Sequence, residues 1–224
     1  TLFPYTTLFR SSVEQGLEAA LESALAHWLY HDEIWLRGNA KAKAEILLAI
    51  ARVRHALVLF GGIVPRKATT HLRALLNDAD AVLLAADTAD EALFRTEVVG
   101  AKLALTEWLV QRGWRSFLNE AGEKKIAGSF KRFADIHLSR VAAELRSAVQ
   151  HLAIEDAADQ LPKLSRDIDS VQLLAGAYGD AVAPWLENWQ ELQRAIEHDD
   201  RSVFEYFRRK ALAAEPFWLH SGKR

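Results

Sequence analysis

The chain has 224 residues, 50% hydrophobic and 26% charged, with 28 Lys and Arg against 30 Asp and Glu for a formal charge of −2. That composition describes a globular chain and excludes a disordered one, while the near-neutral balance makes nucleic acid an unexpected partner, since nucleic-acid footprints are strongly basic. Cysteine is absent, which excludes disulfides and thiolate chemistry and fits a reducing, cytoplasmic setting, and no apolar run approaches the ~20 residues of a membrane span.

Methionine is also absent, so the chain is expected to be a piece of a longer translated protein. Its opening stretch 1–11, TLFPYTTLFRS, reads codon for codon as the translation of a short-read sequencing adapter. It is set aside as a non-native peptide, leaving 12–224 as the folded part.

Apolar residues recur at helical spacing over 13–37, through Leu17, Leu21, Ala24, Leu25, Trp28, Leu29 and Trp35, and Gly38-Asn39 should end that helix and start the next. His27 and His31 lie four apart, a spacing able to chelate a metal, with Asp32 and Glu33 following. No motif places a third ligand, so packing or surface histidines are the expected reading rather than zinc. Residues 40–60 give a second helix with Ile46, Ile50, Val53, Leu57 and Phe60 on its stripe and Arg52, Arg54 and His55 beside it. Gly61-Gly62 closes it, and a third helix after Pro65 carries Arg66, Lys67, His71 and Arg73. Two basic turns thus flank a short connection.

The acidic stretch 77–97 reads as an exposed connection and a boundary between half-bundles, and 98–114 is helical again until Gly113 interrupts it. A short helix and the Ala121-Gly122 break lead to SFKRFADIHLSRVAAELR, capped by Ser129. There Phe130, Phe133, His137, Arg140, Val141 and Glu144 share a stripe, with Lys131 and Arg132 in the first turn. Guanidinium, ammonium and imidazole groups on one helix could hold a small anion, although such charges more often mark a solvated face. Leu161-Pro162 should open the next helix, with Leu164, Ile168, Val171 and Leu174 as its stripe, because proline is favoured at the first helical position. Helices from Pro184 and from Arg201 follow, and Phe217, Trp218 and Leu219 should dock the tail.

No segment alternates like a strand, so the expected architecture is all-α, with antiparallel helices joined by short loops. A faint repeat relates the helix ending in Gly61-Gly62 to the one ending in Gly176, each read as the start of a helical run. There is no Gly-rich phosphate loop with Lys, no HExxH and no GxSxG. Catalysis is therefore the weaker expectation.

Eight runs in order, VEQGLEAALESALAHW, WLRGN, VRHALVLFGGIVPRKATTHLR, AKLALTEWLV, SFKRFADIHLSR, QLPKLSRDIDSVQLLAGAY, WLENWQ and EPFWLHSGKR, resemble the C-terminal half of bacterial two-domain CYTH-CHAD inorganic triphosphatases. The resemblance implies a CHAD fold of two pseudo-symmetric antiparallel four-helix bundles, at about 12–120 and 121–224. It implies a parent enzyme in which a CYTH domain, opened by an ExExK motif and using a divalent cation such as magnesium, hydrolyses tripolyphosphate. No ExExK occurs here, so this fragment alone is expected to be inactive, with no cofactor of its own and a CYTH domain as its missing N-terminal partner.

CHAD domains bind inorganic polyphosphate through histidines and cations. Against the family motif HxxRVxxRRLR this chain places Ala44, Leu47, Ala51, Arg52 and Arg54, so only two arginines are kept. At the second-half counterpart the histidine position is Pro162, with Lys163 and Arg166 nearby. The resemblance therefore makes Arg52, Arg54, His55, Arg66, Lys67, Lys131, Arg132, His137, Arg140, Lys163 and Arg166 the candidate polyphosphate or tripolyphosphate contacts. The alternative is a structural or protein-interaction bundle whose anion site has decayed.

Overall fold

In a computed structural model, which describes residues 11–219, the chain forms ten α-helices and no strand among those residues, apart from one isolated bridge between Ser12 and Ser129. The adapter-like stretch lies outside the described residues except for Ser11, whose carbonyl accepts the Phe130 N–H at 2.9 Å. The chain divides into two compact units, Val13–Ala127 and the part from Gly128 onward, the latter including Ser11 and Ser12.

The first unit holds α1 (Val13–Leu36), α2 (Ala42–Leu59), α3 (Arg66–Ala85), the one-turn α4 (Ala89–Ala92), α5 (Thr96–Val110) and the short α6 (Glu120–Ile126). Helix α1 packs on α2, α2 on α3, α3 on α5 and α5 back on α1, a closed ring of four. The second unit repeats that cycle with α7 (Phe130–Val149), α8 (Ala157–Leu174), α9 (Ala183–Glu197) and α10 (Arg201–Ala213). The weak sequence repeat now has a physical basis. Its two members, α2 and α8, are each the second helix of a ring, so each run begins one helix earlier than the glycines suggested.

Helical periodicity buries one stripe of each helix. In α2 the stripe is Ala42, Ile46, Ala49, Ile50, Val53, Ala56 and Leu57, all essentially inaccessible. Trp28, Leu76, Leu83, Leu105 and Trp114 complete that core, whereas the core of the second unit is built from Phe130, Leu138, Leu145, Val171, Leu174, Trp189 and Leu192. Leu29, assigned to the stripe of α1 by spacing, is 51% exposed instead.

The acidic stretch 77–97 is not a boundary. Helix α3 runs through it, with Leu76, Ala79 and Leu83 buried, Asp78 on its exposed face and Asp80 half-buried toward α2. The break comes only at Ala86–Thr88, where Thr88 and Glu91 form a capping box for α4. Proline does not open α8 either. The helix begins at Ala157, and Pro162 lies inside it, with the loss of one backbone hydrogen bond in its early turns.

Three helices end in the same way. At α1 the Gly38 N–H reaches the Trp35 carbonyl and the Asn39 N–H reaches Ile34, with Gly38 at φ +94°, a Schellman closure. Helices α5 and α9 close identically around Arg112 at φ 49° and Asp199 at φ 46°. Gly113 therefore does not supply the left-handed residue. It is needed because a Cβ there would lie 2.4 Å from the Trp108 ring. The following residues are tied to the start of α1 by Glu14, which accepts from Trp114 Nε1 at 2.9 Å and from Arg115 Nε at 2.7 Å. In the tail Trp218 is buried and donates to Ser139 Oγ at 3.1 Å, and Phe217 packs edge-on against Tyr178, while Leu219 is exposed rather than docked.

Candidate functional site

The candidate cations fall in both units, and their local duties differ. In the first unit Arg54 is committed to the fold: Nη1 donates to Asp80 Oδ2 at 3.0 Å and Nη2 to the Leu76 carbonyl at 2.8 Å, stapling α2 to α3. Arg52 and His55 are half-buried on α2. Ala44 and Ala51 are exposed on α2 and present only methyl groups to solvent. Arg66 and Lys67 are exposed in the first turn of α3, which has no acidic residue and no side-chain N-cap. One and two turns on, Thr69 Oγ1 accepts from Arg73 Nε at 3.0 Å, and burial, then the charge of Arg66, lower the Arg73 pKa. A positive field thus builds at this helix start.

Helices α1 and α2 also assemble a group that the local spacing left incomplete. His27 and His31 share one face with ring centroids 4.4 Å apart, and Glu45 of α2 brings Oε2 to 3.0 Å from His27 Nε2. The carboxylates that follow His31 in sequence turn elsewhere. Asp32 is buried against Lys102, and Glu33 pairs with Arg37.

In the second unit Ser129 caps α7 as its sequence implies, its Oγ accepting the Arg132 N–H at 3.4 Å. Lys131 is 17% exposed and donates to both Asp135 oxygens, at 3.2 and 3.0 Å, with its ammonium 5.2 Å from the Tyr178 ring centre. The Tyr178 hydroxyl donates to Asp135 as well, and burial together with that carboxylate pushes its pKa far above the ordinary phenol value. Lys131 therefore serves a structural triad, whereas Arg132 beside it is exposed. His137 packs on Phe133 at 4.2 Å and has Arg140 Nη2 3.5 Å from Nδ1. Arg140 is largely exposed and lies 3.7 Å from Glu144.

The charges of three candidates reach one buried carboxyl. Asp167 of α8 is 6% exposed, and Lys163, Arg166 and, from α7, Arg140 all act on it electrostatically. Burial pushes its carboxyl upward, Glu144 adds to that, and the three cations oppose it. The candidate set missed Asp167, although the signal was there. It stands three after Leu164 and four before Val171, a charge on an apolar stripe. Chemically this corner offers two guanidiniums and an ammonium to an oxyanion, tempered by Glu144 and Asp167.

Burial holds both His27 and His137 below the ordinary imidazole range. For His27 the Glu45 hydrogen bond opposes this while His31 and Arg52 reinforce it, and for His137 Arg140 reinforces it. A lowered folded pKa means stability that is present above the unfolded value of about 6.5 and lost as pH falls through the folded one. The raised carboxyls of Asp32 and Asp167 act oppositely, at carboxylate pH. Urea unfolding should show stability falling as pH drops below about 6.5, and His137→Gln should lose less over that window. Equal slopes for the two proteins would contradict the assignment.

Residues 19–209 match the CHAD domain family. Among solved structures, the crystal structure of the CHAD domain from the plant Ricinus communis is similar over 95% of this chain and 91% of that chain, with a TM-score of 0.54 and 16% sequence identity. At that identity the likeness speaks for the fold. Among the described residues no helix is long and apolar enough to cross a membrane.

Proposed function

Because the chain belongs to the CHAD domain family, matched over 19–209, we propose that it is an accessory domain that binds inorganic polyphosphate or tripolyphosphate through the cations of α7 and α8. The observation that carries this reading is that Arg140 of α7 and Lys163 and Arg166 of α8 all act electrostatically on the buried Asp167. Guanidinium groups match phosphate oxygens in paired hydrogen bonds, and an ammonium adds a point charge. Arg140 is 63% exposed and its ion pair with Glu144 is long at 3.7 Å, so a phosphate can displace Glu144 at little cost. Arg132, also exposed on α7, extends the positive face.

The reading extends to a cytoplasmic parent in which a CYTH domain with a divalent cation hydrolyses tripolyphosphate and this domain gathers the substrate. Its support is the ordered resemblance of eight sequence runs and the absence of ExExK here. The cations on this chain bind and orient. With no ExExK in its sequence, the chain alone should not turn over tripolyphosphate.

Titration of fluorescently labelled polyphosphate tests both halves. Binding should saturate, weaken with salt with a log-log slope of about 2 to 3 for three phosphate contacts by analogy with nucleic acids, and fall roughly tenfold when Arg140, Lys163 and Arg166 are all changed to Ala. Metal-dependent phosphate release from this chain would overturn the accessory role. The second reading, a structural or protein-interaction bundle, is favoured by the commitment of Arg54 and Lys131 to internal pairs. It prevails if binding is unsaturable or indifferent to the triple substitution.

A further inference from the structure

The cluster of His27, His31 and Glu45 plays no part in the proposed anion site, and its geometry has a chemistry of its own. Successive turns of α1 carry the two imidazoles on one face, because residues four apart are neighbours on a helix. The tight packing of α1 on α2 supplies the third group from a helix 18 residues away in sequence. One ligand atom from each of the three lies within 4.8 Å of the others. The His27 Nε2 to Glu45 Oε2 separation is already 3.0 Å.

A zinc ion holds imidazole nitrogens at about 2.0–2.1 Å and carboxylate oxygens at about 2.0–2.2 Å, which in a tetrahedron puts neighbouring donors roughly 3.3–3.5 Å apart. The ligand atoms here lie within 4.8 Å of one another, which exceeds that spacing by at most about 1.5 Å. Two further observations separate it from ordinary packing histidines. His31 Nδ1 is buried with no hydrogen-bond partner among the described residues, an unusual state for a buried polar atom. The side chains of His27 and Glu45 are 22% and 43% exposed, so an ion can reach them from solvent.

We propose that His27, His31 and Glu45 form a binding site for a divalent transition-metal ion of the zinc type, with one coordination position left open. Two imidazoles and one carboxylate favour zinc, copper or nickel over magnesium or calcium, whose preferred ligands are all oxygen. The ion joins α1 to α2. It therefore stabilises the folded unit by an amount that grows with the free ion concentration, as any ligand bound to the folded state alone does.

The test uses the tag-free chain after chelator treatment. Zinc is titrated in competition with a chromophoric chelator, and cobalt is followed by its visible absorption. One ion per chain is expected, with a melting temperature that rises with zinc. His31→Ala and Glu45→Gln should each weaken binding roughly tenfold or more and abolish the zinc-dependent rise in melting temperature, while His71→Ala, on the exposed face of α3, should change neither. Glu45→Gln preserves side-chain shape, so it separates loss of a ligand from loss of fold, which circular dichroism checks directly. Binding that is absent, substoichiometric, or equal in the wild type and Glu45→Gln overturns the proposal and leaves the His27–Glu45 contact as a helix-to-helix hydrogen bond.

Discussion

Replacing Lys102 by Met is expected to destabilise the unit Val13–Ala127 by about 3–5 kcal/mol, the usual cost of removing one partner from a buried ion pair. Lys102 Nζ donates to Asp32 Oδ2 at 2.6 Å, and the two side chains are only 17% and 10% exposed. Burial already pushes the Asp32 carboxyl upward, and Lys102, followed by Trp28, opposes that shift. Without the ammonium, α1 would hold an uncompensated charge against α5. Asp32→Asn combined with Lys102→Met should recover much of the loss, because the desolvation of both charges disappears with them. Urea unfolding of the two single variants and the double variant forms the cycle. The single Lys102→Met variant should also regain stability on acidification, since protonating Asp32 removes the buried charge. A cost below about 1 kcal/mol would show that solvent reaches the pair and that it behaves as a surface salt bridge.

This pair also shows where reading the sequence stops. Asp32 and Lys102 are 70 residues apart, Asp135 and Tyr178 are 43 apart, and His27 and Glu45 are 18 apart. Each partnership depends on which helix lies beside which, and periodicity is silent on that. Properties local to one helix were legible: the stripe of α2, the Ser129 cap and the Gly38 closure all follow from residues within a few turns. Local rules failed where two of them competed. Pro162 suits a first turn, yet the preceding residues also form helix, and Ala157 is buried at the true start. The acidic composition of 77–97 suggested a linker, but the apolar spacing of Leu76, Ala79 and Leu83 decided the matter. For the site, the cations could be listed by residue type, but which were already spent on internal partners could not. Arg54 and Lys131 are so engaged, while Arg140, Lys163 and Arg166 act electrostatically on the buried Asp167.

Arg54→Leu should therefore separate fold from function. The sequence resemblance makes Arg54 a candidate ligand, and taken as one its loss would weaken the proposed polyphosphate binding. Its geometry argues otherwise. The guanidinium spans α2 and α3 with bonds of 3.0 Å to Asp80 and 2.8 Å to the Leu76 carbonyl, and Nε is buried. Hydrogen bonds to a charged group contribute about 1.5–3 kcal/mol each, and Asp80 would be left half-buried and unpaired. A loss of about 2–3 kcal/mol in urea unfolding is expected, with polyphosphate affinity of the folded variant within about twofold of wild type. Arg166→Ala should do the reverse, because Arg166 is exposed on α8 and surface truncations usually move stability by less than about 0.5 kcal/mol. Fluorescence polarisation at one ionic strength, run beside the unfolding curves, compares the two directly. If Arg54→Leu were to keep its stability and lose binding, the staple would be incidental and the motif arginine would be a ligand. The anion surface would then have to be sought on the first unit, around Arg52, Arg66 and Lys67, instead of on α7 and α8.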